Sequence, residues 1–227
     1  MKITYYGHSC FGVNIKGFDI VFDPFITPNN LAKDIKLSEV KADFIVVSHG
    51  HEDHIADLVE LAKTTGAKCI ANFEIHSWLN KQGVDNTHPM NTGGKWIFDF
   101  GKIKCVSAEH SSSFPDGSYA GDAMGFIIES EEGNFYYAGD TALTYDMKLI
   151  GEYRKDLDFA FLPIGDNFTM SVDNAIIAAD FIQCNKVIGM HYDTFGYIEI
   201  DKEEAKEKFK SNGKELILLE IGKTKDF

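Results

Sequence analysis

The run Ser48-His49-Gly50-His51-Glu52-Asp53-His54 places three histidines and an aspartate within six residues, and it constrains this chain more than any other stretch. Neutral imidazole and carboxylate are ligand types that zinc, manganese and iron accept. The flanks say where the run sits. Asp43-Phe44-Ile45-Val46-Val47 is a short apolar, β-branched segment that reads as a buried strand. After His54, apolar residues recur at helical spacing through Ile55–Thr64. The candidate ligands therefore occupy a junction where a strand ends and a helix begins, the usual edge for a site in α/β proteins. On an extended segment, residues two apart point to the same side. His49 and His51 can grip one ion together, while the turn that follows aims Asp53 and His54 at a second point nearby. One segment thus supplies half of each of two adjacent metal sites. The spacing differs from the His-Glu-x-x-His helix, where two imidazoles meet one turn apart.

The chain's 227 residues are enough for one large domain, and no Pro/Ser-rich linker or low-complexity tract divides residues 1–227. Net charge is −13, which argues against the basic face that nucleic-acid binding needs. No apolar run approaches the roughly 20 residues of a membrane span. Met1-Lys2-Ile3-Thr4-Tyr5-Tyr6 reads as a first strand rather than a signal peptide, so a cytoplasmic location is expected. Cys10, Cys69, Cys105 and Cys184 stand alone beside apolar segments and read as reduced structural thiols.

Strands are expected at 2–6, 11–15, 19–22, 44–48, 68–72, 96–98, 103–108, 125–129, 134–139, 159–162, 186–191 and 215–219. Helices are expected at 55–64, 74–81, 145–153, 171–184 and 201–210. Gly17 marks one hairpin turn, Glu131-Glu132-Gly133-Asn134 another, and Ser171 is a plausible N-cap. This alternation is compatible with two facing sheets flanked by helices, an α+β arrangement. Three further ligand types each end an apolar run: His110 after Ile103–Ala108, Asp140 after Phe135–Gly139, and His191 after Val187–Met190.

Together, His49-x-His51-x-Asp53-His54, the lone His110, Gly139-Asp140-Thr141 and the late His191 resemble the metallo-β-lactamase superfamily. The resemblance implies a four-layer αββα sandwich of two similar halves with the site at the sheet edge. It implies that His49, His51 and His110 hold one metal, that Asp53, His54 and His191 hold a second, and that Asp140 bridges them. The cofactor implied is two divalent ions, zinc foremost, with manganese or iron as alternatives. His51 stands where flavodiiron relatives carry a carboxylate, which favours hydrolysis over redox chemistry. Gly7-His8-Ser9-Cys10-Phe11, Phe22-Asp23-Pro24-Phe25, Pro89–Gly94, His110–Ser113, Pro163–Met170 and His191–Phe195 resemble the short, single-domain hydrolases near L-ascorbate-6-phosphate lactonase and N-acylphosphatidylethanolamine phospholipase D.

On this basis the chain is expected to be a binuclear hydrolase that uses a metal-bound hydroxide on a small ester, lactone or phosphodiester, phosphorylated substrates included. Asp53 or Asp140 is the expected proton shuttle. His8 is expected at the pocket mouth as a substrate contact or general acid. Asp23 is expected to accept from a ligand imidazole, and Thr141 to brace Asp140. Asn167, Thr169 and Tyr192 are expected to contact substrate. Phe25, if exposed, would mark a homo-oligomer surface, and no stable membrane insertion is expected. Other functions weighed are an RNase Z-like phosphodiesterase, disfavoured by the acidic surface, a glyoxalase II-like thioesterase, disfavoured by the lack of residues for a second domain, and a non-enzymatic metal-bound sensor.

Overall fold

Alternating burial along the strands explains how the chain makes two sheets with a shared interior. A computed structural model describes residues 1–227. The first half supplies β1 (Lys2–Gly7), β2 (Cys10–Ile15), β3 (Phe18–Phe22), β4 (Phe44–Val46), β5 (Lys68–Ala71) and β6 (Thr87–Pro89). The second supplies β7 (Lys95–Phe98), β8 (Gly101–Ser107), β9 (Met124–Ser130), β10 (Gly133–Tyr137), β11 (Phe159–Pro163), β12 (Lys186–Met190) and β13 (Glu215–Ile217). The last strand, β14 (Thr224–Asp226), returns to the first sheet beside β1.

Each sheet has seven strands, in the orders β14-β1-β2-β3-β4-β5-β6 and β13-β12-β11-β10-β9-β8-β7. Each is antiparallel on one side and parallel on the other, with the change at β3 and at β10. The β2–β3 hairpin turns through Lys16 and Gly17, both at positive φ, the geometry that matches the twist of a two-residue hairpin. Parallel strands need crossovers, and helices provide them. They are α1 (Glu52–Ile55), α2 (Leu58–Thr65), α3 (Phe73–Lys81), α4 (Met147–Tyr153), α5 (Val172–Phe181) and α6 (Lys202–Ser211). The architecture is an αββα sandwich, as the resemblance implied.

The two sheets meet through aromatic side chains. Phe11 packs on Phe161 at 4.6 Å between ring centroids, and Phe22 stacks on Tyr137 at 4.7 Å. All four rings are fully buried, and each such ring contributes about 1.5–3 kcal/mol of transfer free energy. A second apolar layer, including Val47, Leu58, Leu61 and Ile75, fills the space between the first sheet and α1–α3. No helix is long and apolar enough to cross a membrane.

The helix expected over 55–64 is two helices. Asp57, between α1 and α2, leaves helical geometry because its carboxylate is captured from outside: it accepts from the backbone N–H of Ile26 and Thr27. Its buried charge is thereby satisfied, which a solvent-facing helical aspartate would not need. The three-residue strands β6 and β14 lie at one edge of the first sheet each; β14 is exposed and β6 only half-buried, so they carry no apolar alternation. The remaining elements fall within a few residues of their expected positions, and Ser171 does cap α5, its hydroxyl accepting from Asn174 N–H at 3.2 Å.

Candidate metal centre

All seven expected ligands follow the C-terminal ends of strands, so the sheets deliver them to one edge. His49 and His51 follow β4, with Asp53 and His54 in the single turn of α1; His110 follows β8, Asp140 follows β10 and His191 follows β12. His49, His54, Asp140 and His191 are buried, whereas His51, Asp53 and His110 are part-exposed.

Asp140 is at the middle. Its Oδ2 lies 2.9 Å from His191 Nε2, 3.2 Å from His54 Nε2, 3.6 Å from His110 Nε2 and 4.0 Å from His49 Nε2. On one side the ligand atoms of His49, His51 and His110 lie within 4.8 Å of one another. On the other, those of His8, Asp53, His54 and His191 do the same. His54 Nε2 and Asp140 Oδ1 are buried without a hydrogen-bond partner. Unpaired polar atoms in a dry interior are costly, and an ion between them removes that cost. Imidazoles and carboxylates are the donor set that zinc, manganese or iron takes. The residues fit a metal group on both sides of Asp140.

Electrostatics agree. Burial raises the cost of a charged Asp140, but His191 and His54 outweigh it and hold the carboxyl well below its ordinary range. Burial likewise opposes a proton on His54, yet Asp140, Asp23 and Asp53 outweigh it and push that imidazole well up. A proton is thus retained where a cation would be stabilised. His49, His51 and His110 are pushed down, chiefly by burial, and stay neutral as ligation requires.

The ring orientations are set from behind. Asp23 Oδ2 accepts from His54 Nδ1–H at 2.8 Å, from Tyr137 Oη at 2.7 Å and from Ser48 Oγ at 2.6 Å; Oδ1 accepts from Ser48 N–H at 2.7 Å. With its proton on Asp23, Ser48 Oγ accepts from His49 Nδ1–H at 2.9 Å. His49 therefore presents its Nε2 lone pair to the centre, and His54 does so once a metal displaces its second proton. Asp23 thus lies against the ring of an expected ligand, His54. Ser48 and Tyr137 carry no motif that marks them, and only the pairing of the two sheets brings Tyr137 to Asp23.

His8 differs from its expected place. It is fully buried behind Asp53, not at the pocket mouth. Its Nε2 lies 3.0 Å from Asp53 Oδ2 and its Nδ1 2.9 Å from Thr194 Oγ1. Burial, with His191, lowers its pKa to about 4. A neutral His8 donates from Nε2 to Asp53 and accepts at Nδ1 from the Thr194 hydroxyl. Its carbonyl accepts from His191 N–H at 3.0 Å, which ties two strand ends together. Of the eight non-glycine residues at positive φ, three are His8, Asp23 and His191. Each ends a strand in the left-handed region, which His and Asp tolerate better than most residues, and the reversal aims its side chain at the centre.

Thr141 does not touch Asp140. Its hydroxyl accepts from Glu109 N–H at 3.0 Å and so fixes the residue before His110. The expected substrate contacts also shift. A cavity of about 860 Å³ opens over the centre, and neither Asn167, Thr169 nor Tyr192 lines it. The left-handed backbone at His191 turns Tyr192 into the core, Asn167 lines the neighbouring groove, and Thr169 Oγ1 is buried. Phe168, between the last two, does line the cavity, with Phe25, Phe195 and Tyr197. Phe25 is buried and offers no self-association surface.

The sequence matches the family described as "Beta-lactamase superfamily domain" over residues 18–192. It is similar to a UPF0173 metal-dependent hydrolase of Christiangramia forsetii, 56% identical over 225 residues that cover 99% of each chain. A metal-dependent hydrolase of Methylacidiphilum infernorum is 54% identical over 221 residues, 97% of each chain. Among solved structures, a metallo hydrolase from the hyperthermophilic archaeon Ignicoccus hospitalis superposes with a TM-score of 0.89 at 37% identity, covering 100% of this chain and 98% of that one.

Proposed function

This chain belongs to the metallo-β-lactamase superfamily, a metal-dependent hydrolase by its relatives, and on that premise we propose that it is a binuclear enzyme for small ester, lactone or phosphodiester substrates. The observation that carries this is the position of Asp140 Oδ2, with four histidine Nε2 atoms between 2.9 and 4.0 Å around it. His49, His51 and His110 would hold one ion, Asp53, His54 and His191 the other, and Asp140 both. Two such ions supply a Lewis acid for the substrate oxygen and a nucleophile at neutral pH.

The chain's own residues do the rest. Asp140, 2% exposed, holds negative charge at the centre and is nearly closed off from solvent. Asp53, 24% exposed and lining the cavity, is the carboxylate that can take a proton inside and return it outside. His8 Nε2–H holds Asp53 Oδ2 and leaves its other oxygen to turn toward the cavity. Asp23 and Ser48 hold the Nδ1–H of His54 and His49 from behind, so Nε2 is the nitrogen each ring has for a metal.

The test is zinc content by elemental analysis, with hydrolysis of an activated phosphodiester and a lactone measured side by side. Two zinc per chain, with turnover of either substrate that vanishes in Asp140→Ala, is the expected result. Two bound zinc without turnover of either would sink the hydrolytic proposal and favour a metal-bound sensor.

A further inference from the structure

The cavity over the metal centre is walled by four aromatic rings and has no lysine or arginine in its lining. The rings form an inner and an outer pair. Phe25 and Phe195 make the inner pair, with centroids 6.5 Å apart, and His8 meets both edge-on at 5.5 and 5.4 Å. Phe25 cannot swing away. Asp57 accepts from Ile26 N–H, from Thr27 N–H at 2.9 Å and from the Thr27 hydroxyl, which clamps the segment directly after it. Phe168 and Tyr197 make the outer pair, edge to face at 6.4 Å. They are 53% and 78% exposed, and neither is used by the core. Asp166 and Asn167, both at positive φ, turn the chain so that Phe168 stands outward. The pair closes a tight turn, with Asp166 N–H donating to Met170 O at 3.0 Å, and the turn holds Phe168 at the cavity. Exposed aromatic rings beside a polar centre are how proteins hold a flat, apolar ligand.

Charge narrows the ligand. The acidic lining residues are Glu52, Asp53 and Asp140. Asp53 and Asp140 belong to the metal centre, and Glu52 is exposed at the rim. An anionic group placed away from the scissile bond meets a carboxylate there and no cation to pair with.

We propose that this centre acts on neutral esters or lactones carrying an aryl group, gripped between Phe168 and Tyr197 outside and Phe25 and Phe195 inside, and rejects substrates with a second, anionic group. The proposal rests on the hydrolase reading above. In the reaction water supplies hydroxyl to the acyl carbon, the acyl carbon–oxygen bond breaks, and the phenolic oxygen leaves with the proton.

Phenyl hexanoate and monophenyl adipate test this, because they differ by a carboxylate in place of the terminal methyl, on a spacer long enough to keep it from attacking its own ester. With zinc-loaded protein, kcat/KM should favour the neutral ester by about tenfold or more. Glu52→Gln should narrow that ratio. In the double variant Phe168→Ala/Tyr197→Ala, the preference for phenyl hexanoate over methyl hexanoate should fall about tenfold, through KM. Equal or better turnover of the adipate, or an unchanged aryl preference without the two rings, overturns the proposal while the hydrolase reading stands. If neither ester is cleaved, ligand-observed NMR with hexananilide and adipanilic acid decides. Hexananilide binding that is lost in the double variant supports the aromatic site although the esterase chemistry fails. No binding of hexananilide overturns the site itself.

Discussion

Replacing Asp23 by asparagine exchanges one oxygen for an NH2 and should disable half of the proposed metal centre. Asp23 is fully buried and accepts four hydrogen bonds while donating none. Asparagine keeps one acceptor oxygen and adds an NH2 donor. If that NH2 takes the place of Oδ1, it faces Ser48 N–H, and two donors oppose each other in a dry site. If it takes the place of Oδ2, it faces the hydroxyls of Ser48 and Tyr137, which can rotate to accept, and His54 Nδ1, which must give up its proton to accept. The ring's remaining proton is then held at His54 Nε2, the atom that should ligate. The first orientation leaves a buried donor unpaired, at a cost of about 1–3 kcal/mol of stability. The second trades that loss for metal affinity, and removal of such an outer partner typically weakens binding about 10–100-fold. Competition with a zinc chelator, together with 15N NMR of the histidine tautomers, separates the two. The expected result is one zinc bound with normal affinity and one weakened, with His54 having lost its Nδ1 proton in the metal-free variant. Two zinc bound as tightly as in the parent protein, with unchanged unfolding free energy, would refute the assignment of Asp23 as the residue that sets the His54 tautomer.

Two further outcomes can be checked directly. His8 has its pKa lowered to about 4 from an ordinary 6.5, so the fold favours its neutral form; that contribution is complete above the unfolded value and is lost as pH falls from about 6.5 toward 4. Between pH 7.5 and 4.5 the metal-free parent should lose about 2–3 kcal/mol more stability than His8→Gln, measured by denaturant unfolding, and parallel losses would count against a buried neutral His8. Gly139 precedes Asp140 at φ +61°, and a Cβ there would lie 2.8 Å from Ser48 Cβ and 2.9 Å from Met124 O; Gly139→Ala should cost about 2–4 kcal/mol and release zinc, whereas a variant of normal stability and zinc content would mean that the strand end shifts freely.

The seven candidate ligands were visible in the sequence for a physical reason. Metal ligands are polar residues at the ends of apolar runs, and both halves of that pattern are local. Asp23 was legible in the same way, after Ile20-Val21-Phe22. The residues that orient the ligands were not. Tyr137 reads as one more aromatic in a strand, and its partner Asp23 is 114 positions away. Asp57 fits helical spacing, and only the approach of Ile26 and Thr27 takes it out of the helix. Tyr192 is adjacent to His191 in sequence, yet one left-handed residue separates their destinations. Neighbours in sequence share a site only where the backbone is regular. At strand ends, where sites form, it is not.

The metal centre also lies on the seam between the sheets, and this links catalysis to core packing. His49, His51, Asp53 and His54 come from the first sheet, and His110, Asp140 and His191 from the second. Asp140 must sit within about a hydrogen-bond length of His54 for the two sets to act as one, so the sheets' separation has to be held closely. The Phe22–Tyr137 stack sets that separation, and the Tyr137 hydroxyl carries it to Asp23, which holds His54. A core substitution that lets the sheets slide by a fraction of an ångström therefore reaches the ligands through only three contacts. Interiors packed at crystal-like density transmit such shifts rather than absorb them. The aromatic richness of the core thus serves two ends: it drives the sheets together, and it sets the distance at which two half-sites become one.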